Sequence, residues 1–104
     1  MTTELILATT AGDNEKVQNL LLEGARVNAK GSDGITPLLA AVAHNQVSTV
    51  KLLLDKGAAA DGRGNRKETP LFVAAREGYD SVVLTLLDAG ADPNSSDVDG
   101  WTPR

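Results

Sequence analysis

The chain has no cysteine, one histidine, one methionine and three aromatic residues in 104. Each shortage removes a class of answers. Without thiols there is no disulfide framework, no thiolate metal site and no cysteine nucleophile. With one Phe, one Tyr and one Trp, the core has to be aliphatic, built from Leu, Val and Ala. There is no basic surplus either. The formal net charge is −4, which argues against nucleic acid as the main partner, because phosphate binding needs a concentrated basic surface. The longest apolar run, Leu38 to Ala43, is six residues, far short of a membrane span. No basic-then-apolar secretory pattern stands at the N-terminus. The expectation is therefore no membrane insertion and an intracellular setting, cytoplasmic or nuclear.

What is present is a repeat. Thr36-Pro37-Leu38 returns as Thr69-Pro70-Leu71, and Thr102-Pro103 stands 33 residues further on. Eight positions are identical in three successive copies at that spacing: Thr3/Thr36/Thr69, Leu5/Leu38/Leu71, Ala8/Ala41/Ala74, Val17/Val50/Val83, Leu20/Leu53/Leu86, Leu21/Leu54/Leu87, Gly24/Gly57/Gly90 and Ala25/Ala58/Ala91. A fixed period of this length specifies a stacked array in which each unit contacts its neighbours. Length alone puts the chain at one domain.

One copy shows how the unit folds. Thr69 can cap a helix start, and Pro70 is tolerated at the first helical position. Leu71, Ala74 and Ala75 fall on one helical face, and this short helix should end near Gly78. Asp80 or Ser81 is placed to cap a second helix, whose apolar stripe is Val82, Val83, Leu86 and Leu87. Gly90 stands where a left-handed C-terminal cap is wanted. From Ala91 to Trp101 the chain is rich in Asp, Asn, Ser, Gly and Pro and reads as an extended turn. The unit is helix, turn, helix and protruding loop or hairpin. Small Ala8, Ala41 and Ala74 let first helices approach closely, and the Leu-Leu pairs are expected to fill the layer between repeats.

The pattern Thr-Pro-Leu-x-x-Ala, then Val-x-x-Leu-Leu, then Gly-Ala, at period 33, resembles the ankyrin repeat over essentially the whole chain. The third copy carries it from Thr69 through Gly78, then Val82-Val83, Leu86-Leu87 and Gly90-Ala91-Asp92-Pro93-Asn94. The resemblance implies an all-α solenoid of stacked helix-turn-helix units with protruding β-hairpin or loop tips. Repeat one covers about residues 3–35, repeat two 36–68 and repeat three 69–101, and 102–104 begin a fourth.

Departures from the family pattern carry their own expectations. The family usually has His after Thr-Pro-Leu, where this chain has Leu39 and Phe72; apolar packing should replace its hydrogen bonds. Gly34 and Gly100 match the family's loop glycine, but Lys67 replaces it in the middle copy. Asn45 stands where the third copy has Gly78, and asparagine tolerates the left-handed turn needed there. Copy one has Glu4 in place of proline and a polar second helix (Asp13, Asn14, Glu15, Lys16, Gln18, Asn19), so it reads as an N-terminal cap. With no polar cap after the third copy, the chain reads as a piece of a longer array, or as one whose C-terminal end is covered by another chain; a complete three-repeat protein with a frayed tail is the alternative reading.

Catalytic constellations are missing. There is no phosphate-binding G-x-x-x-x-G-K-[ST] loop and no dinucleotide fingerprint. His44 has Ser48 nearby in sequence but no nucleophile motif, so a surface or partner-contact role is expected rather than a triad. Asp92, Asp97 and Asp99 do not follow a calcium-loop pattern and read as turn chemistry. No metal or cofactor is expected, and no enzyme activity. Arg63, Arg66 and Lys67 form a basic tip, either solvated or set to meet an acidic segment. Asn94-Ser95-Ser96 reads as turn composition. Asn28 and Asn94 match a loop asparagine that some family members carry hydroxylated. Trp101 is either an interface anchor or a cover for copy three.

The resemblance implies binding of another protein through loop tips and the exposed side of the first helices. Carried over, those positions are Ser32, Asp33, Ile35, Ala43 and His44, then Asn65, Arg66, Glu68, Arg76 and Glu77, then Val98, Asp99 and Trp101. The alternative is a structural section of a longer array, a targeting domain of a larger protein, or a fragment that self-associates through its uncapped C-terminal end.

Overall fold

A computed structural model describes residues 2–31, 34–62 and 68–92. Within them the chain forms six helices: α1 (Thr2–Ala11), α2 (Asn14–Leu22), α3 (Pro37–Ala43), α4 (Val47–Asp55), α5 (Pro70–Glu77) and α6 (Asp80–Asp88). Among the described residues there is no strand. The loop between α2 and α3 is closed by the Gly31 amide donating to the Ile35 carbonyl at 2.9 Å.

The Thr-Pro signal acts as the sequence suggests. Thr36 and Thr69 are extended N-caps whose hydroxyls accept the Leu39 and Phe72 amides at 3.1 Å. Proline follows in the first turn, where its missing N–H costs nothing. Both threonines are buried, so each cap also protects a polar group that water does not reach.

The Gly-Ala pair has an equally local cause. Gly24, Gly57 and Gly90 have φ of 107°, 96° and 94°. Their amides donate to Leu21, Leu54 and Leu87, and the amides of Ala25, Ala58 and Ala91 reach back to Leu20, Leu53 and Leu86. This paired bonding closes the last carbonyls of each second helix and requires left-handed backbone at the glycine. The first helices end the same way. Asn45, at φ 54°, replaces glycine there, and the Gln46 amide still bonds the Ala41 carbonyl at 2.9 Å.

The start of α6 departs from expectation. Neither Asp80 nor Ser81 caps it; the N-cap is Tyr79, which offers no side-chain acceptor. After the left-handed turn at Gly78, the Tyr79 carbonyl already accepts the Val83 amide at 2.9 Å. Asp80 is therefore the first helical residue, where its carboxylate opposes the positive end of the helix dipole.

The first helices lie side by side, α1 on α3 and α3 on α5, and the second helices form a layer behind them, α2 on α4 and α4 on α6. Between the layers runs one aliphatic core. Leu5, Val17, Val42, Val50, Leu53, Val82 and Leu86 are its fully buried large members. The Leu-Leu pair does not fill that layer as a unit. The first leucine of each pair is core, Leu21 and Leu54 are half-buried, and Leu87 is 38% exposed. One helix turn cannot aim two consecutive residues at the same neighbour.

The outer face of the first repeat is only partly a polar cap. Thr3, Glu4 and Lys16 are exposed where later copies bury Thr36/Thr69, Pro37/Pro70 and Thr49/Val82. Leu7 is the exception: it is 64% exposed, against 4% for Ala40 and 5% for Val73. Asn14 also leaves the solvated set. Its amide donates to the Ser48 hydroxyl at 3.2 Å and its carbonyl oxygen accepts from the buried Thr49 hydroxyl.

Candidate interaction surface

Residues 33 positions apart stand at matching places on neighbouring helices. On and just before α5, Glu68, Phe72 and Arg76 follow at a spacing of four, so they lie along one face. The matching stripe on α3 is Ile35, Leu39 and Ala43, and on α1 it is Thr2, Ile6 and Thr10. Leu39 and Phe72 are buried at the base of their stripes. Apolar packing has thus taken the place of the family's usual histidine, as expected. Above them Ile35, Ala43 and Arg76 are exposed, and Glu68 is half-buried.

The third stripe is ionic over an aromatic floor. The Arg76 guanidinium lies 5.4 Å from the Phe72 ring centroid, within cation–π range. It donates to Glu68 at 2.8 Å and to Glu77 at 3.2 Å. Burial pulls the Arg76 pKa down, but its hydrogen bonds and charge pairing with Glu68 and Glu77 outweigh that and hold it above the ordinary arginine value. Both pairs are partly exposed, so they contribute little to stability. Their effect is positional: the long Arg76 side chain is laid along its helix instead of extending into solvent. Three residues that the sequence presents as separate contacts form a single unit.

The second stripe is apolar and open, with His44 at its end. The His44 Nδ1 is 3.0 Å from the Ala40 carbonyl. A carbonyl only accepts, so Nδ1 carries the proton and Nε2 is the nitrogen left for a partner. Ser48, the serine nearest in sequence, accepts from Asn14. Nothing here assembles a base beside a nucleophile. Among the described residues no cluster of His, Cys, Asp or Glu is placed to hold a metal ion, and no helix is long and apolar enough to cross a membrane.

Ser32, Asp33, Asn65, Arg66, Val98, Asp99 and Trp101 lie outside the described residues, as do Arg63, Lys67, Asn94, Ser95, Ser96 and Asp97. Ile35, Ala43, His44, Glu68, Arg76 and Glu77 remain, and they sit on and beside the first helices of repeats two and three.

The residues that fasten one repeat to the next were not evident as such. The Asn28 side chain donates to the Gly57 carbonyl at 3.3 Å and accepts the Ala59 amide at 2.8 Å. One repeat later, Asp61 accepts the Asp92 amide at 3.0 Å. The 33-residue spacing of Asn28, Asp61 and Asn94 was the available signal. Gln46 forms a second tie, donating to the Thr10 carbonyl at 3.0 Å. That one had no signal, because Asp13 and Tyr79 stand at the matching positions.

A family model described as ankyrin repeats, in three copies, matches residues 5–97. No curated protein matches the chain.

Proposed function

From the premise that this chain belongs to the ankyrin repeat family, we propose that it is a non-catalytic module that holds another protein across the exposed side of its first helices. Ankyrin repeats in general mediate protein–protein interaction, and domains built from them are typically not catalysts. The observation that supports this face is the contrast along it. Ile35 and Ala43 form an open apolar stripe beside the ordered Glu68–Arg76–Glu77 unit. An apolar centre flanked by fixed polar groups is the usual anatomy of a specific protein interface. Because the helices are already packed, little ordering entropy is lost on docking. The setting we assign is intracellular.

The test is comparative capture. Wild-type protein and an Ile35→Arg, Ala43→Arg, Arg76→Glu triple variant are immobilised, and bound proteins are quantified by mass spectrometry. An exposed control, Glu15→Ala, is run beside them. Proteins held by wild type and control should fall at least about tenfold on the triple variant, corresponding to about 1.4 kcal/mol. Helical circular dichroism should stay unchanged. Equal capture by all three proteins sinks this face.

A further inference from the structure

The open hydrogen-bonding groups on the first-helix face are weighted toward acceptors. Glu68 and Glu77 each accept one bond, and both bonds come from Arg76, through Oε2 in each case. Among the described residues neither carboxylate has another partner, although an ionised carboxylate has about four acceptor sites. Their side chains are 24% and 45% exposed, so both stay within reach of an approaching molecule. On α3, His44 holds the position that matches Glu77. Its Nδ1 donates to the Ala40 carbonyl, which leaves Nε2 of the neutral ring as an acceptor.

Net charge points the same way. Two carboxylates share one guanidinium, so the Glu68–Arg76–Glu77 unit keeps a surplus negative charge. Glu77 is also the last residue of α5, where the negative end of the helix dipole favours a cation. Arg76 itself is a poor receptor for an acidic partner. Its guanidinium is 2.8 Å from Glu68 and 3.2 Å from Glu77. A carboxylate that reaches it meets two like charges, which opposes docking. The neighbouring stripes carry no charge: Ile35 and Ala43 are exposed on α3, and Thr2, Ile6 and Thr10 follow on α1.

We propose that the partner segment held on this face is basic and amphipathic, with an apolar side chain over Ile35 and Ala43 of α3 and a lysine or arginine over Glu68 and Glu77 of α5. This rests on the reading of the face given above and adds the chemistry of its partner. Arg76, seated over the Phe72 ring at 5.4 Å, holds both carboxylates in place for the incoming cation. The cation gains charge-assisted hydrogen bonds, and the apolar stripe supplies burial. Neighbouring helices pack about 8–10 Å apart. An extended chain covers that distance in about three residues, so the apolar and basic residues of the partner should stand about three apart.

Random peptides displayed on phage are the probe. They are panned against the wild-type protein and against Ile35→Ser, which removes apolar contact without adding charge. Peptides held by wild type and released by Ile35→Ser belong to this face; an empty set overturns the face and this proposal with it. Within the set, lysine and arginine should be enriched at least about threefold over the starting library, and aspartate and glutamate depleted. The leading peptide is then synthesised and measured by fluorescence anisotropy. Glu68→Gln combined with Glu77→Gln should weaken it at least about tenfold. Panning on that double variant should turn toward acidic peptides, because Arg76 is left with no carboxylate beside it. Circular dichroism confirms that each variant is folded. An acidic or charge-indifferent set, or a peptide that the double variant holds as tightly as wild type, overturns the basic partner and leaves the face standing.

Discussion

Gly12 and Gly78 end the first helices of repeats one and three with nearly the same backbone, φ 72° and 75°. A side chain at either has to adopt left-handed backbone, which costs about 1–2 kcal/mol. The surroundings differ. A Cβ built on Gly78 meets nothing within 4 Å, whereas one on Gly12 comes within 2.5 Å of the Gln46 side-chain oxygen. That Gln46 side chain is the tie to the Thr10 carbonyl. It is flexible, so it moves aside, and the hydrogen bond is lost at about 1 kcal/mol. Gly78→Ala should therefore cost about 1–2 kcal/mol and Gly12→Ala about 2–3 kcal/mol. Urea unfolding followed by far-ultraviolet circular dichroism reads both. The decisive comparison is in a Gln46→Ala background, where the tie is already gone. There the cost of Gly12→Ala should fall to that of Gly78→Ala. If the two glycines cost the same in the wild-type chain, or if removing Gln46 leaves the difference intact, the attribution to the tie is wrong.

Two further outcomes follow from burial and from the loop ties. Leu53→Ala removes a fully buried side chain and should cost about 2–5 kcal/mol, while Leu87→Ala, at 38% exposure, should cost less than half as much; equal losses in thermal unfolding would refute the split of the leucine pair. Asn28→Ala deletes both hydrogen bonds to the following loop and should cost about 1 kcal/mol, with faster amide exchange at Ala59 as the local signature.

Much of the fold was legible because its causes are local. Thr-Pro starts a helix whether or not a neighbour is present, since the cap and the fixed proline φ act within one turn. Gly-Ala ends one for the same reason. The core leucines and valines followed from a period of 3.6 inside a period of 33. Capping of α6 was misplaced by one or two residues because the left-handed turn at Gly78 consumes residues that sequence cannot count. Of the candidate face, the residue set on α3 and α5 was legible through the family resemblance. The arrangement of Glu68, Arg76 and Glu77 was not, since all three are charged side chains whose partners depend on how far each can reach.

The sequence by itself determined the unit, its boundaries in helix and turn, and an array of aliphatic cores, because these depend on interactions within a few residues or on strict repetition. Tertiary structure decided what each repeated position became. The same slot is buried at Ala40 and Val73 but open at Leu7, because only stacking supplies a neighbour. Leu20 and Leu21 look alike in the chain and differ in the fold, because helix geometry aims one inward and the other at the rim. On the other side of the array, exposed Leu22, Lys51, Asp55 and Leu84 come to share one surface only once the three second helices lie side by side.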